Sequence, residues 1–212
     1  MSTVAVVDYG SSNLRSVGKA LTHVAGGNHV IRICDDPEQI LAADRVVIPG
    51  QGAIEQCMTG IQTKGLDQVL HECLKNKPFL GICMGLQTLM DESEEDGGVR
   101  GLGIIAGRVL KFQDNILDEN GNYCKIPHMG WNRVAQVKSH PLWDGIESGE
   151  RFYFVHSYYV QPDNPGDIGA TTDYTVNFTS AIARDNLFAV QFHPEKSQRA
   201  GLKLLENFLN WE

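Results

Sequence analysis

The sequence predicts an α/β fold: a mostly parallel central sheet flanked by helices, with an antiparallel β extension. Two patterns carry this. In the first half, short apolar runs alternate with amphipathic stretches at helical spacing, which implies right-handed crossovers and a sheet covered on both faces. In the second half, short strand-like runs follow one another with turn signals between them, the pattern of antiparallel strands.

In chain order, Val4–Val7 reads as a strand and roughly Asn13–Val24 as a helix. Val30–Ile33 and Arg45–Ile48 are short apolar strands. Residues Gly65–Lys75 form an amphipathic helix, with Leu66, Val69, Leu70, Cys73 and Leu74 on one stripe. Phe79–Ile82 is the next strand, and Met84–Met90 the helix after it. Strands are then expected at Arg108–Phe112, Arg133–Val137, Phe152–Val160, Ile168–Thr172, Ser180–Arg184 and Leu187–Phe192, with a turn at Asp118-Glu119-Asn120-Gly121. A helix from about Gln198 to Trp211 closes the chain, turning Leu202, Leu205, Phe208 and Leu209 inward. The acidic run Asp91–Asp96 reads as a solvated loop rather than a metal site. Gly101-Leu102-Gly103-Ile104-Ile105-Ala106 fits a loose dinucleotide pattern, but that pattern needs a preceding strand and a following helix. Here an acidic loop precedes it and a strand follows.

A chain of 212 residues is compatible with one domain, spanning 1–212, and a sizeable core. A net charge of −8 without any basic cluster argues against nucleic acid and anionic membrane as partners. The five cysteines, Cys34, Cys57, Cys73, Cys83 and Cys124, are odd in number and form no Cys-x-x-Cys pair. A disulfide framework and a structural zinc site are therefore disfavoured, and a reducing cytoplasm is the expected location. The amino-terminal residues lack the basic flank and apolar core of a signal peptide, and no apolar run is long enough to span a membrane.

The stretch Gly81-Ile82-Cys83-Met84-Gly85 after Phe79-Leu80 has the layout of a nucleophile elbow. A strand ends there, the chain turns sharply into a helix, and the nucleophile sits strained at the apex. Glycine on either side leaves room for the turn, and the helix start offers N–H groups that favour a thiolate. Taken alone, the same pattern also fits a buried cysteine in a tight turn. A reactive cysteine needs a base and an orienting group. Phe188–Phe192 runs out into His193-Pro194-Glu195, where extended chain would set His193 and Glu195 side by side. Pro49-Gly50-Gln51-Gly52, after the Arg45–Ile48 strand, is either an ordinary tight turn or half of an oxyanion hole. In the second case the backbone N–H of Met84 and of the Gln51–Gly52 segment would face the developing charge.

Taken together, Pro49–Gly52, Gly81-Ile82-Cys83-Met84-Gly85-Leu86-Gln87 and His193-Pro194-Glu195 resemble the class I (triad-type) glutamine amidotransferases, in the expected order along the whole chain. Asp8–Leu14, Ile126-Pro127-His128-Met129-Gly130-Trp131-Asn132, Phe154–Tyr159 and Lys196 narrow the resemblance to the glutaminase subunits of imidazole glycerol phosphate synthase. The resemblance implies a flavodoxin-like fold and a Cys83–His193–Glu195 triad that hydrolyses glutamine to glutamate and ammonia. No metal and no cofactor is expected. It implies glutamine held by Gln87 and by the backbone of Ser157 and Tyr158. It also implies a heterodimer with a (β/α)8-barrel cyclase subunit in histidine biosynthesis, faced by Asn13, Met129, Trp131 and Lys196. Trp131 reads equally as a core aromatic or an interface anchor; an exposed apolar patch would favour the latter. Other readings remain open: a triad glutaminase feeding anthranilate, purine or pyridoxal phosphate synthesis, a cysteine peptidase or γ-glutamyl hydrolase on the same elbow, or a silent binding subunit.

Overall fold

A computed structural model describes residues 1–114, 116 and 123–211. The turn expected at Asp118–Gly121 lies outside the described residues. The first half alternates as expected: β1 (Ser2–Val7), α1 (Leu14–Val24), β2 (His29–Cys34), α2 (Pro37–Ala42), β3 (Arg45–Gly50), α3 (Ile54–Thr63), α4 (Leu66–Cys73), β4 (Phe79–Cys83) and α5 (Met84–Gln87). The second half is strand-rich: β5 (Met90–Ser93), β6 (Val99–Arg100), β7 (Ile105–Lys111), β8 (His128–Arg133), β9 (Ala135–Gln136), β10 (Arg151–His156), β11 (Tyr158–Pro162), β12 (Ile168–Asp173), β13 (Asn177–Arg184) and β14 (Leu187–Val190), closed by α6 (Gln198–Asn210).

Among the described residues, the main sheet runs β2-β1-β3-β4-β14-β13-β11-β7-β5-β6, with β12 and β9 branching from β13. The block β2-β1-β3-β4-β14 is parallel, and β14 then hands over to the antiparallel strands β13, β11 and β7. A separate two-stranded ribbon pairs β10 with β8.

Strand alternation decides which face each side chain covers. On one face Val4, Val6, Val47, Leu80, Ile82, Phe188 and Val190 pack with α1 and α6 through Val17, Leu21, Leu204 and Phe208. On the other, Ala5, Val7, Val46, Ile48, Phe79 and Ala189 pack under α2, α3 and α4 through Ile40, Ile54, Ile61, Leu66 and Leu70. Strands β1, β3, β4 and β14 are thus apolar on both faces, as a sheet covered on both sides requires, while the edge strand β2 is only partly buried. None of the described helices is long and apolar enough to cross a membrane.

Several expectations are corrected. The helix expected over Met84–Met90 stops at Gln87, and Met90 begins β5. The backbone beyond it is taken by the segment that follows β6: Leu102 N–H donates to Thr88, and Ile104 and Ile105 donate to Leu89. The acidic run Asp91–Asp96 is accordingly not a plain loop. Its first three residues belong to β5, and Glu95 turns back to accept the Ile54 N–H at 3.1 Å. The strand expected over Phe152–Val160 is two strands broken at Ser157; β10 belongs to the ribbon and β11 to the main sheet. The strand expected at Arg133–Val137 lies mostly earlier, as β8, with only Ala135–Gln136 following as β9. Helices α2 and α3 were not expected. The Asp36 cap accepting from Glu38 N, followed by Pro37, and the Ile54, Cys57, Met58, Ile61 stripe are the signals that mark them.

Candidate active site

The carboxyl ends of β3, β4 and β14 meet at one edge of the parallel block, and the expected nucleophile, base and oxyanion loop converge there. Cys83 ends β4 with φ +54 and ψ −106, an unusual backbone for a residue with a Cβ, and it pairs in register with Gly50 of β3. The turn depends on bare backbone. A Cβ on Gly85 would lie 1.8 Å from the Ile48 carbonyl oxygen, and one on Gly50 would lie 2.3 Å from the Tyr9 hydroxyl. That hydroxyl donates to the Pro49 carbonyl at 2.5 Å, tying β1 to the loop that continues through Gln51 to Gly52, whose φ is +110.

His193 follows β14 and is fully buried. Its N–H donates to the Tyr153 carbonyl at 2.9 Å, and its own carbonyl accepts from Ser197 Oγ at 2.6 Å. Its Nδ1 lies 2.9 Å from Glu195 Oε1, so the expected contact forms, but not through extended chain: only His193 is extended, and Pro194–Lys196 is a 3-10 turn that brings the carboxylate back to the imidazole. The same oxygen accepts from Asn13 Nδ2 at 3.2 Å, and Asn13 Oδ1 accepts from Ser11 Oγ at 2.7 Å. Nε2 of His193 is buried and makes no hydrogen bond among the described residues. It faces Cys83 closely enough for the sulfur to act on it. Burial opposes the imidazolium, but the Cys83 sulfur and then the Glu195 carboxylate outweigh it and push the pKa up to about 10. Burial likewise opposes charge on Glu195, and the hydrogen bond and charge of His193 outweigh it, so this carboxyl stays below its usual value.

Beside the sulfur lies a cleft of about 390 Å³ lined by Gln51, Gly52, Met84, Gln87, Ser157 and Tyr158, among others. The residues expected to touch glutamine therefore line one cavity. Gln87 is buried, one helical turn from Cys83, and its Nε2 donates to the Tyr158 carbonyl at 3.2 Å. Ser157 sits at the break between β10 and β11 and lines the cleft, with its carbonyl accepting from the Phe112 N–H at 3.0 Å.

Four residues of the site were not singled out by sequence reasoning. Glu95 lines the cleft with a carboxyl raised by burial. Ser197 braces His193, and its Oγ accepts from the Tyr153 N–H at 2.9 Å. His128 and His156 pair at 2.9 Å between the ribbon strands, and His156 Nδ1 meets the Tyr158 carbonyl at 2.7 Å. The last two were quoted only within longer motifs, and their mutual contact follows from a β8–β10 register invisible in one-dimensional spacing.

The residues expected on a partner face divide. Met129 and Trp131, alternating along β8, are 65% and 43% exposed. Trp131 meets Tyr153 edge-on at 6.1 Å, and the Lys196 ammonium stands 6.0 Å from the same ring. Trp131 is thus a surface aromatic rather than a core one. Asn13 is 4% exposed, and its amide is engaged with Glu195 in this chain.

A family model described as glutamine amidotransferase class-I matches residues 5–211. The chain belongs to the class-I glutamine amidotransferase family. Among curated relatives of this family, "Imidazole glycerol phosphate synthase subunit HisH" of Methylococcus capsulatus is 55% identical over 100% of this chain and 98% of its own length. The protein of the same name from Nitrosomonas europaea is 56% identical over 100% of this chain and 99% of its own. Among solved structures, one described as a glutamine amidotransferase superposes with a TM-score of 0.71 at 14% identity, covering 97% of each chain. A glutamine amidotransferase of Thermotoga maritima superposes with a TM-score of 0.66 at 16% identity, covering 94% of this chain and 78% of that one. At these identities the structural likeness speaks for the class-I amidotransferase fold.

Proposed function

We propose that this chain is the glutaminase subunit of an imidazole glycerol phosphate synthase, hydrolysing glutamine and passing the ammonia to a cyclase partner in histidine biosynthesis. The observation that carries the chemistry is Cys83, held at φ +54 above a buried His193 whose Nδ1 is 2.9 Å from Glu195 Oε1. The choice of pathway rests on full-length identity of 54–56% to subunits of that synthase.

Each residue then takes a role. With the proton of the Cys83–His193 pair on His193 Nε2, the sulfur attacks the side-chain amide carbon of glutamine. The amide oxygen, now negative, meets the N–H of Met84 and of the Gln51–Gly52 loop. His193 passes its proton to the departing nitrogen, ammonia leaves, and a γ-glutamyl thioester remains on Cys83. The imidazole next takes a proton from water, which attacks the thioester; the C–S bond breaks and glutamate departs. Glu195 holds the imidazole in one orientation and stabilises its cation, and Asn13 holds Glu195.

Substrate selection falls to the cleft. Gln87 and the backbone of Ser157 and Tyr158 hold glutamine's amino-acid end. Glu95, the acidic side chain of the lining, faces its ammonium. Met129, Trp131 and Lys196 form the face for the cyclase, a (β/α)8 barrel, in a cytoplasmic heterodimer. Free ammonia would be lost to bulk water, so the chain alone should be slow and the occupied cyclase should accelerate it. The loop ending at Gly52 is the part that moves, because glycine permits its peptide to reorient.

Glutamate release from glutamine tests this, measured for the purified chain, with the cyclase subunit and its ribulosyl ligand, and with Cys83→Ala. Strong activation by the liganded cyclase, abolished in Cys83→Ala, is expected. Activity indifferent to that cyclase would assign the triad to another synthase, and no activity under any condition would overturn the enzymatic reading.

A further inference from the structure

Gln191 is fully buried on the strand exit between β14 and His193, and the reaction outlined above gives it no part. Its backbone is fixed, with the N–H donating to the Ser180 carbonyl at 2.9 Å. Its side chain is fixed as well. The Gln191 amide nitrogen lies 3.7 Å from Cys83 Sγ, and its amide oxygen accepts from Gln87 Nε2 at 3.1 Å.

The direction of this chain of hydrogen bonds follows from its far end. A carbonyl only accepts, so the Tyr158 oxygen requires the nitrogen of Gln87. His156 donates to the same oxygen from the other side and helps to hold it in place. With its NH2 group on both Tyr158 and Gln191, Gln87 requires Gln191 to present its oxygen to it. What Gln191 then presents to the sulfur is its NH2 group. The amide orientation at the nucleophile is thus set by a backbone carbonyl in the glutamine cleft rather than by the sulfur itself.

We propose that Gln191 is a further catalytic residue: its carboxamide N–H donates to Cys83 Sγ, holding the sulfur as an aimed anion opposite His193. This rests on the nucleophile assignment of Cys83. When the thiol proton moves to His193 Nε2, negative charge gathers on sulfur and the Gln191 bond strengthens. As the S–C bond forms, that charge passes to the substrate oxygen and the bond relaxes. In thioester hydrolysis the C–S bond breaks, its electron pair returns to sulfur, and the same N–H receives the leaving thiolate. Because Gln87 joins Gln191 to the substrate cleft, glutamine binding bears on the aim of the nucleophile.

The test uses two variants of the full chain. Gln191→Met keeps the volume but removes donor and acceptor. Gln191→Glu keeps the acceptor for Gln87 and sets a carboxylate against the sulfur, and it stands in if the first does not fold. Two quantities are read in folded protein: the pH profile of Cys83 alkylation by iodoacetamide, corrected with Cys83→Ala, and glutamine kinetics with the cyclase present. A hydrogen bond to a charged group predicts an alkylation profile moved about one unit to higher pH and a kcat lowered about ten- to a hundredfold, with KM changing far less. An unchanged alkylation profile in a folded variant overturns the proposal, even if kcat falls, since a purely structural role would give that result. Equal glutamate release by the unmutated chain and Cys83→Ala would instead remove the nucleophile assignment on which the proposal stands.

Discussion

Asn13 Nδ2 donates to Glu195 Oε1 at 3.2 Å across 182 residues of sequence, onto the same oxygen that meets His193 Nδ1. The start of α1 is thereby stitched to the triad, and the carboxylate has a fixed rotamer before any substrate arrives. Removing the stitch in Asn13→Ala leaves the carboxylate one buried donor short. We expect kcat for glutamine to fall about tenfold, the equivalent of one neutral-to-charged hydrogen bond, with the fold intact. Steady-state kinetics beside a thermal melt check this, and an unchanged kcat would show that His193 alone orients Glu195.

The triad also makes stability depend on pH. The pKa of His193 is raised to about 10 in the folded chain, so its contribution is full below the unfolded value of about 6.5 and is lost as pH rises towards 10. The carboxyl of Glu195 is held low, so its contribution is present above the unfolded value of about 4.3 and is lost as pH falls through its folded value. Urea unfolding should therefore show alkaline destabilisation above about pH 6.5 that shrinks in Cys83→Ala, which lacks the sulfur's pull on the imidazole. An identical alkaline limb in both proteins would contradict the electrostatic account of the site.

The paired histidines have the opposite sign. Burial lowers His128 to about 4 and His156 to about 3, so both stay neutral where exposed histidine would charge. The unfolded chain then binds more protons than the folded one below about pH 6.5, and these residues destabilise the fold progressively as pH falls from there. Imidazole NMR signals of both should stay flat between about pH 8 and pH 5, and a midpoint near 6.5 for either would show the pair to be open to water.

Two glycines of the site should respond differently. A Cβ at Gly85 would sit 1.8 Å from the Ile48 carbonyl, so Gly85→Ala should cost at least about 3 kcal/mol in denaturant unfolding or fail to fold. A Cβ at Gly52 meets nothing nearer than Gln56 Oε1 at 3.6 Å, but φ is +110 there. Gly52→Ala should therefore fold with a loss of about 1–2 kcal/mol, while glutamine turnover falls about a hundredfold as the loop N–H leaves its place. Turnover unchanged by Gly52→Ala would remove that loop from the oxyanion hole.

Trp131 offers the test of the partner face. It is 43% exposed and touches Tyr153, so Trp131→Ala should leave the melt within about 0.5 kcal/mol of the parent while weakening cyclase binding by about 2 kcal/mol or more in calorimetry. Unaltered binding would move the interface elsewhere.

How far the sequence reaches can be judged from these residues. The elbow, the His-Pro-Glu exit and the parallel block were legible because each is local: glycine spacing, a proline and short apolar runs act within a few residues. The length of α5 was not legible, because Leu89 and Met90 are captured by Leu102–Ile105, a competition between segments that helix propensity does not contain. The break at Ser157 was hidden for a similar reason, since Phe152–Val160 is uniformly strand-forming and only pairing partners divide it. Ser197, Glu95 and Gln191 acquire their places from contacts with His193, Ile54 and Cys83, none of which has a sequence signature of its own.

The central claim is that glutamine is carried on Cys83. Acid-quenching the cyclase-bound chain during turnover of labelled glutamine, then mapping the label by peptide mass spectrometry, reads this directly. We predict a γ-glutamyl group on the peptide containing Cys83, absent in Cys83→Ala. Label on another cysteine, or glutamate release persisting in Cys83→Ala, would contradict it.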